Sequence, residues 1–172
     1  MYGICNSFLD PLENKKKALH LLGVFKKLGM KLDIRSFEKR LEIQKKVYML
    51  QLNSEFRRYL GYYFNLFIRG PYSPGLARVY YNIPKGAKAA EINVSKKALD
   101  YGREIASMDI ETLEIASTLI EVMKINRNID DKRLVEHVNM LKPYYTVEKI
   151  SKVLETVKAL GEKYNLDFYG GL

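Results

Sequence analysis

Residues 62–81, YYFNLFIRGPYSPGLARVYY, constrain what this chain can fold into more than any other stretch. Residues 62–68 are aromatic and β-branched, with Asn65 the one strongly polar member, and read as a strand covered on both faces. Arg69-Gly70-Pro71 ends that strand, because proline lacks an amide donor and glycine permits unusual backbone angles. Ser73 then stands as an N-cap with Pro74 at the first helical position, a helix start with a mechanism. Leu76, Val79, Tyr80 and Ile83 follow at helical spacing, and Pro84 closes the element.

The corner suggests chemistry. Amides at the helix start, between Arg69 and Arg78 and near the Tyr72 hydroxyl, would suit an anion or a peptide carboxylate. The plainer alternative gives each residue a structural task. Ser73 caps, Pro71 turns, Tyr72 packs, and both arginines face water or surface carboxylates.

The rest of the chain reads as helices. Residues 15–28 carry Ala18, Leu19, Leu22 and Phe25 on one face, with Asp10-Pro11 as a turn before them and Gly29 as the stop. A second helix, opened by Asp33 or Ser36 and running to about Asn53, has apolar lines on two sides, with Gln44 between them. Ser95, Asp109, Asp130 and Thr146 cap four more, of which the helix after Asp109 carries two adjacent apolar stripes and reads as largely buried. The fold class is therefore mainly α (α+β): one domain over residues 1–172, about six helices and one short β element around 62–68. Residues 92–94 or 2–4 are the candidate partners for that strand.

The 172 residues suffice for an independent core, and a 47% hydrophobic share is ordinary for a globular chain. No apolar run reaches the ~20 residues that span a bilayer, and the first residues lack a signal-peptide pattern. A cytoplasmic protein without a membrane segment is expected. The single cysteine, Cys5, forms no internal disulfide and no CxxC metal site. His20 and His137 lack ligand-spaced partners, so neither metal nor cofactor is expected. No nucleophile elbow, phosphate-binding loop, dinucleotide fingerprint or zinc-protease motif occurs, which argues against an enzyme.

The charge of +9 is uneven: residues 1–60 hold 13 Lys/Arg against 6 Asp/Glu, whereas residues 106–172 hold 9 against 11. A basic front half built from Lys15, Lys16, Lys17, Lys26, Lys27, Lys46, Arg57 and Arg58 is a candidate nucleic-acid surface, on which tyrosines could stack single-stranded bases. The later helix pair, 131–142 and 146–163, alternates lysine and glutamate and makes a poor groove reader.

Residues 43–51 (IQKKVYMLQ) followed by residues 64–76 (FNLFIRGPYSPGL) resemble the uncharacterised YwgA-like family, in which a helix of the form LQKLVYLLQ precedes an aromatic strand and a YGPYSP block. Residues 138–146 (VNMLKPYYT) are similar to that family's helix–LKP–helix tail, and Arg69 stands where many members carry tyrosine. More remotely, the chain resembles the Panacea or phage-associated-protein domain. The resemblance implies a non-enzymatic regulatory module, antitoxin-like or adaptor-like, with a protein partner. Its interaction residues would be Gln44, Lys45, Tyr48, Arg69, Gly70, Pro71, Tyr72, Ser73 and Arg78. Self-association is compatible with the composition.

Overall fold

The computed structural model describes residues 11–166 and Phe168. The candidate strand at residues 2–4, and Cys5, lie outside the described residues. Among the described residues, eight helices and one two-stranded antiparallel sheet follow in the order α1 (Pro11–Lys27), α2 (Phe37–Leu50), α3 (Ser54–Arg57), β1 (Asn65–Phe67), β2 (Gly70–Tyr72), α4 (Pro74–Tyr81), α5 (Lys96–Ser107), α6 (Ile110–Ile125), α7 (Asp131–Leu141) and α8 (Val147–Tyr164). The protein is mainly helical with one small β element. The four-residue α3 is the helix that the sequence reading did not include.

Local sequence decides most helix starts. Ser36, Ser73, Ser95, Asp109, Asp130 and Thr146 each accept a hydrogen bond from the amide three residues on. Such a side chain satisfies one of the four donors that a helix start leaves orphaned. Two boundaries differ from the sequence reading. Pro11 opens α1 rather than making a turn, as suits proline at a first helical position. The second helix ends at Leu50, and Asn53 instead caps α3 by accepting from the Glu55 and Phe56 amides.

The core is one contiguous apolar cluster organised around α6. Ten of the 16 residues of α6 are buried, because α2, α7, α8 and β2 all pack against it. Tyr101 on α5 is fully buried and satisfies its hydroxyl on the Met49 carbonyl at 2.5 Å, which ties α5 to α2.

The β element differs from expectation in two ways. Its partner is not residues 92–94, which form no strand, but residues 70–72, in register Asn65↔Tyr72, Leu66↔Pro71 and Phe67↔Gly70. Nor is it covered on both faces. All three residues of β1 are exposed, and only Tyr62 and Phe64 just before it are buried. Of the aromatic residues that suggested a core strand, Tyr62 and Phe64 enter the core, whereas Tyr63 and Phe67 are exposed.

The turn explains itself. Neither Ile68 nor Arg69 has a positive φ, so the tight mirror-image turns of two-residue hairpins are ruled out. Gly70 carries the correction at φ 83°, in the left-handed region that a side chain strains.

Candidate functional site

The hairpin rests on α2 and α6, and polar side chains hold it there by its main chain. Gln44 donates to the Ser73 carbonyl at 3.0 Å and accepts the Ser73 amide at 2.8 Å. Two helical turns on, Gln51 does the same to Tyr62, at 2.6 and 3.1 Å. Both amides are buried, so each replaces the strand neighbour that the backbone at Tyr62 and Ser73 lacks.

Lys45, on the same helix, is fully buried and donates to the Pro71 carbonyl at 2.6 Å. From the end of α7, buried Lys142 donates to the Ile68 carbonyl at 2.8 Å and to Glu114 on α6 at 2.7 Å. Tyr144 also donates to Glu114, at 2.6 Å. An alanine Cβ built at Gly70 would stand 2.9 Å from the Thr118 hydroxyl and 3.3 Å from Lys45 Nζ, so only glycine lets the hairpin settle this deeply.

The electrostatics of this network are lopsided. Burial pushes the Lys45 ammonium down to about 7, and repulsion from Lys142 adds to the effect against a smaller pull from Glu114. Burial lowers Lys142 as well, against its bond to Glu114. For Glu114, burial alone would raise the carboxyl; hydrogen bonds from Lys142 and Tyr144 outweigh it and hold the group below its ordinary value. Arg69 adds its field to Glu114 and Lys142. Three cations thus stand around one carboxylate.

Above this frame lies an open groove of about 430 Å³ between the hairpin, the start of α2 and the end of α4. Its walls are Phe37, Leu41, Phe67, Ile68, Tyr72 and Tyr81, and its floor includes Gly70 with Lys45 beneath it. Phe67 meets the Tyr72 ring edge-on, with centroids 5.7 Å apart. Arg69 stacks over the Phe37 ring at 6.0 Å. Arg40 completes the charged lining, held by a bond of 2.8 Å to the Ile34 carbonyl.

A wider depression of about 500 Å³ runs along the end of α1, with α2 and α5. Its charges are largely matched in pairs: Glu42 with Lys39 and Lys46, and Asp33 with Arg35. The hairpin groove has no such compensation, since no carboxylate lines it.

The residues singled out from sequence separate accordingly. Gln44, Lys45, Gly70, Pro71 and Ser73 are buried parts of the frame, and the Ser73 hydroxyl is engaged by the Leu76 amide. Arg69 and Tyr72 line the groove, whereas Arg78 is exposed on α4 outside its lining. Tyr48 is buried elsewhere, its hydroxyl between Glu121 and Lys124.

Part of the basic front half is engaged locally. Lys46 pairs with Glu42, and Lys17 pairs with Glu13. Arg57 donates to the Gln51 and Leu52 carbonyls, and Arg58 to that of Asn93. Lys15, Lys16, Lys26 and Lys27 remain exposed on α1.

Sequence reasoning missed Phe37, Arg40, Leu41, Ile68 and Tyr81 as groove residues, and Glu114, Lys142 and Tyr144 as its support. A glutamine, a lysine and a second glutamine on a helix apolar on two sides were the available signal for the frame. The groove had none, because it joins three segments distant in sequence.

Among the described residues, no three metal-ligating side chains converge and no helix is long and apolar enough to cross a membrane. No family model matches the chain, no curated protein matches it, and no solved structure matches it.

Proposed function

We propose that this chain is a non-enzymatic protein-interaction module of the cytoplasm, adaptor-like or antitoxin-like, that captures a partner polypeptide in the hairpin groove. The observation that carries this reading is the groove's rim. Phe37 and Phe67 are each 52% exposed, Tyr81 57% and Ile68 90%, all around one concave floor. Scattered exposed apolar residues need no explanation, but a contiguous set lining a groove marks an interaction surface. Aromatic residues beside arginine are also what the anchoring centres of interfaces are made of.

The titratable cluster favours binding over catalysis. Lys45 and Lys142 direct hydrogen bonds to main-chain carbonyls and so hold the groove's shape. The resemblance to the YwgA-like and phage-associated-protein families implies a role of the same kind.

The test is selection of a displayed random-peptide library against the protein and against a Phe37→Ser/Ile68→Ser variant. Both positions are exposed, so the variant should keep the parent's thermal midpoint. The parent is expected to enrich peptides that share an apolar anchor, and the variant to retain them at least ten-fold less. Equal retention by the two proteins would overturn the reading.

A further inference from the structure

The groove carries a charge imbalance that says what its occupant contains. Lys45, Lys142 and Arg69 surround Glu114, and Glu114 is already engaged by Lys142 and Tyr144. Lys45 has a carbonyl for its partner, and Arg69 has the face of an aromatic ring; neither forms an ion pair among the described residues. A buried cation without a counter-charge is costly, and a low-dielectric floor transmits its field to whatever lies above.

Arg69 is exposed at the turn and lines the groove wall, so its guanidinium is available to an incoming group. Arg40 supplies a second positive charge to the lining. An anion entering here meets the Arg69 and Arg40 guanidinium groups, a partly charged Lys45 beneath them, and no lining carboxylate.

Size and walls narrow the choice. The volume lies toward the lower end of the range for small-ligand sites. The end of an extended chain fits, and it delivers an apolar side chain and a carboxylate from the same Cα. An aromatic wall beside a guanidinium suits that pair of groups.

We propose that the groove receives the C-terminal residue of a partner polypeptide, its apolar side chain against Phe37, Phe67 and Ile68 and its α-carboxylate on Arg69. Arg40 and the Lys45 charge under Gly70 add to the attraction, and no covalent step is involved. This inference rests on the reading of the groove as a peptide-capturing site and adds the chemistry of the peptide.

The experiment uses two random hexapeptide libraries, identical except that one ends in a free carboxylate and the other in an amide. Each is passed over the immobilised full chain, and retained peptides are sequenced by mass spectrometry. Retention from the acid library is expected, enriched in apolar last residues, with the amide library retained at least ten-fold less. Arg69→Gln should remove that difference while the thermal midpoint stays at the parent's value, and Arg69→Lys should restore part of it.

Equal retention of acid and amide peptides would overturn the carboxylate inference and leave the peptide-capturing reading standing. Retention from neither library would overturn both. An unchanged acid preference in Arg69→Gln, or acid peptides with no apolar preference at the last position, would also overturn the inference as stated.

Discussion

Lys45 gives the frame a measurable signature in the pH dependence of stability. The group has an ordinary value of 10.5 and is held at about 7 in the folded chain, with burial the main cause. Between those values the unfolded chain holds one more proton than the folded one, so stability must rise with pH across the interval. The slope approaches about 1.4 kcal/mol per pH unit, and integrating from pH 7 to 9 gives about 2 kcal/mol from this one side chain.

The groups around Lys45 leave the window interpretable. Glu114 on α6 titrates below its ordinary value, and Tyr144 is pushed up to about 12, so neither changes charge between pH 7 and 9. Lys142 is lowered in the same direction as Lys45 and contributes with the same sign.

The perturbation is therefore Lys45→Met, which keeps the volume and removes the charge. Losing the bond to the Pro71 carbonyl should cost about 1–3 kcal/mol, but that offset is independent of pH. Urea unfolding at half-unit steps from pH 7 to 9 separates the two effects. The parent should gain about 2 kcal/mol more than Lys45→Met across the range. Parallel curves for the two proteins would mean that Lys45 keeps its charge in the folded state, and would refute the argument from burial.

Two further outcomes follow from the same frame. Glu114→Gln leaves buried Lys142 without its ion-pair partner and should destabilise by about 3–5 kcal/mol, whereas Glu111→Gln, which breaks only an exposed pair with Lys149, should stay within about 1 kcal/mol; equal losses in urea unfolding would contradict the assignment of a buried network. Gly70→Ala combines left-handed strain with a Cβ 2.9 Å from the Thr118 hydroxyl and should cost about 2–4 kcal/mol. Thr118→Ala in the same chain should recover part of that loss in a double-mutant cycle, and strict additivity would exclude the contact.

How far the sequence could be read depends on the range of the interactions involved. The helix starts at Ser73, Ser95, Asp109, Asp130 and Thr146 were legible because a cap is settled within three residues. The extensive burial of α6 was legible from its two adjacent apolar stripes. The hairpin was not, since its turn lacks the Asn-Gly or Asp-Gly pair that announces one. Its exposure was hidden too, because Leu66, Phe67 and Ile68 have a core composition on a surface element.

Lysine is seldom buried, and nothing local marks Lys45 or Lys142 as exceptions. Their burial depends on Glu114 and on carbonyls 26 and 74 residues away in the chain. No local pattern encodes such a meeting. The roles expected of Gln44 and Lys45 in contacting a partner moved beneath the surface, while Arg69 and Tyr72 stayed upon it.

One feature of the hairpin's mooring bears on how such a protein could diversify. Gln44, Gln51, Lys45 and Lys142 grip Ser73, Tyr62, Pro71 and Ile68 by amides and carbonyls alone. The two glutamines, seven residues apart on α2 and at its C-cap, set anchor points separated by about 10.5 Å along the helix axis. Between those anchors the path of the chain is prescribed, but the identities of the side chains at 66–69 are not. A lineage could exchange those four side chains as a cassette, changing which partner is recognised while the scaffold beneath stays the same.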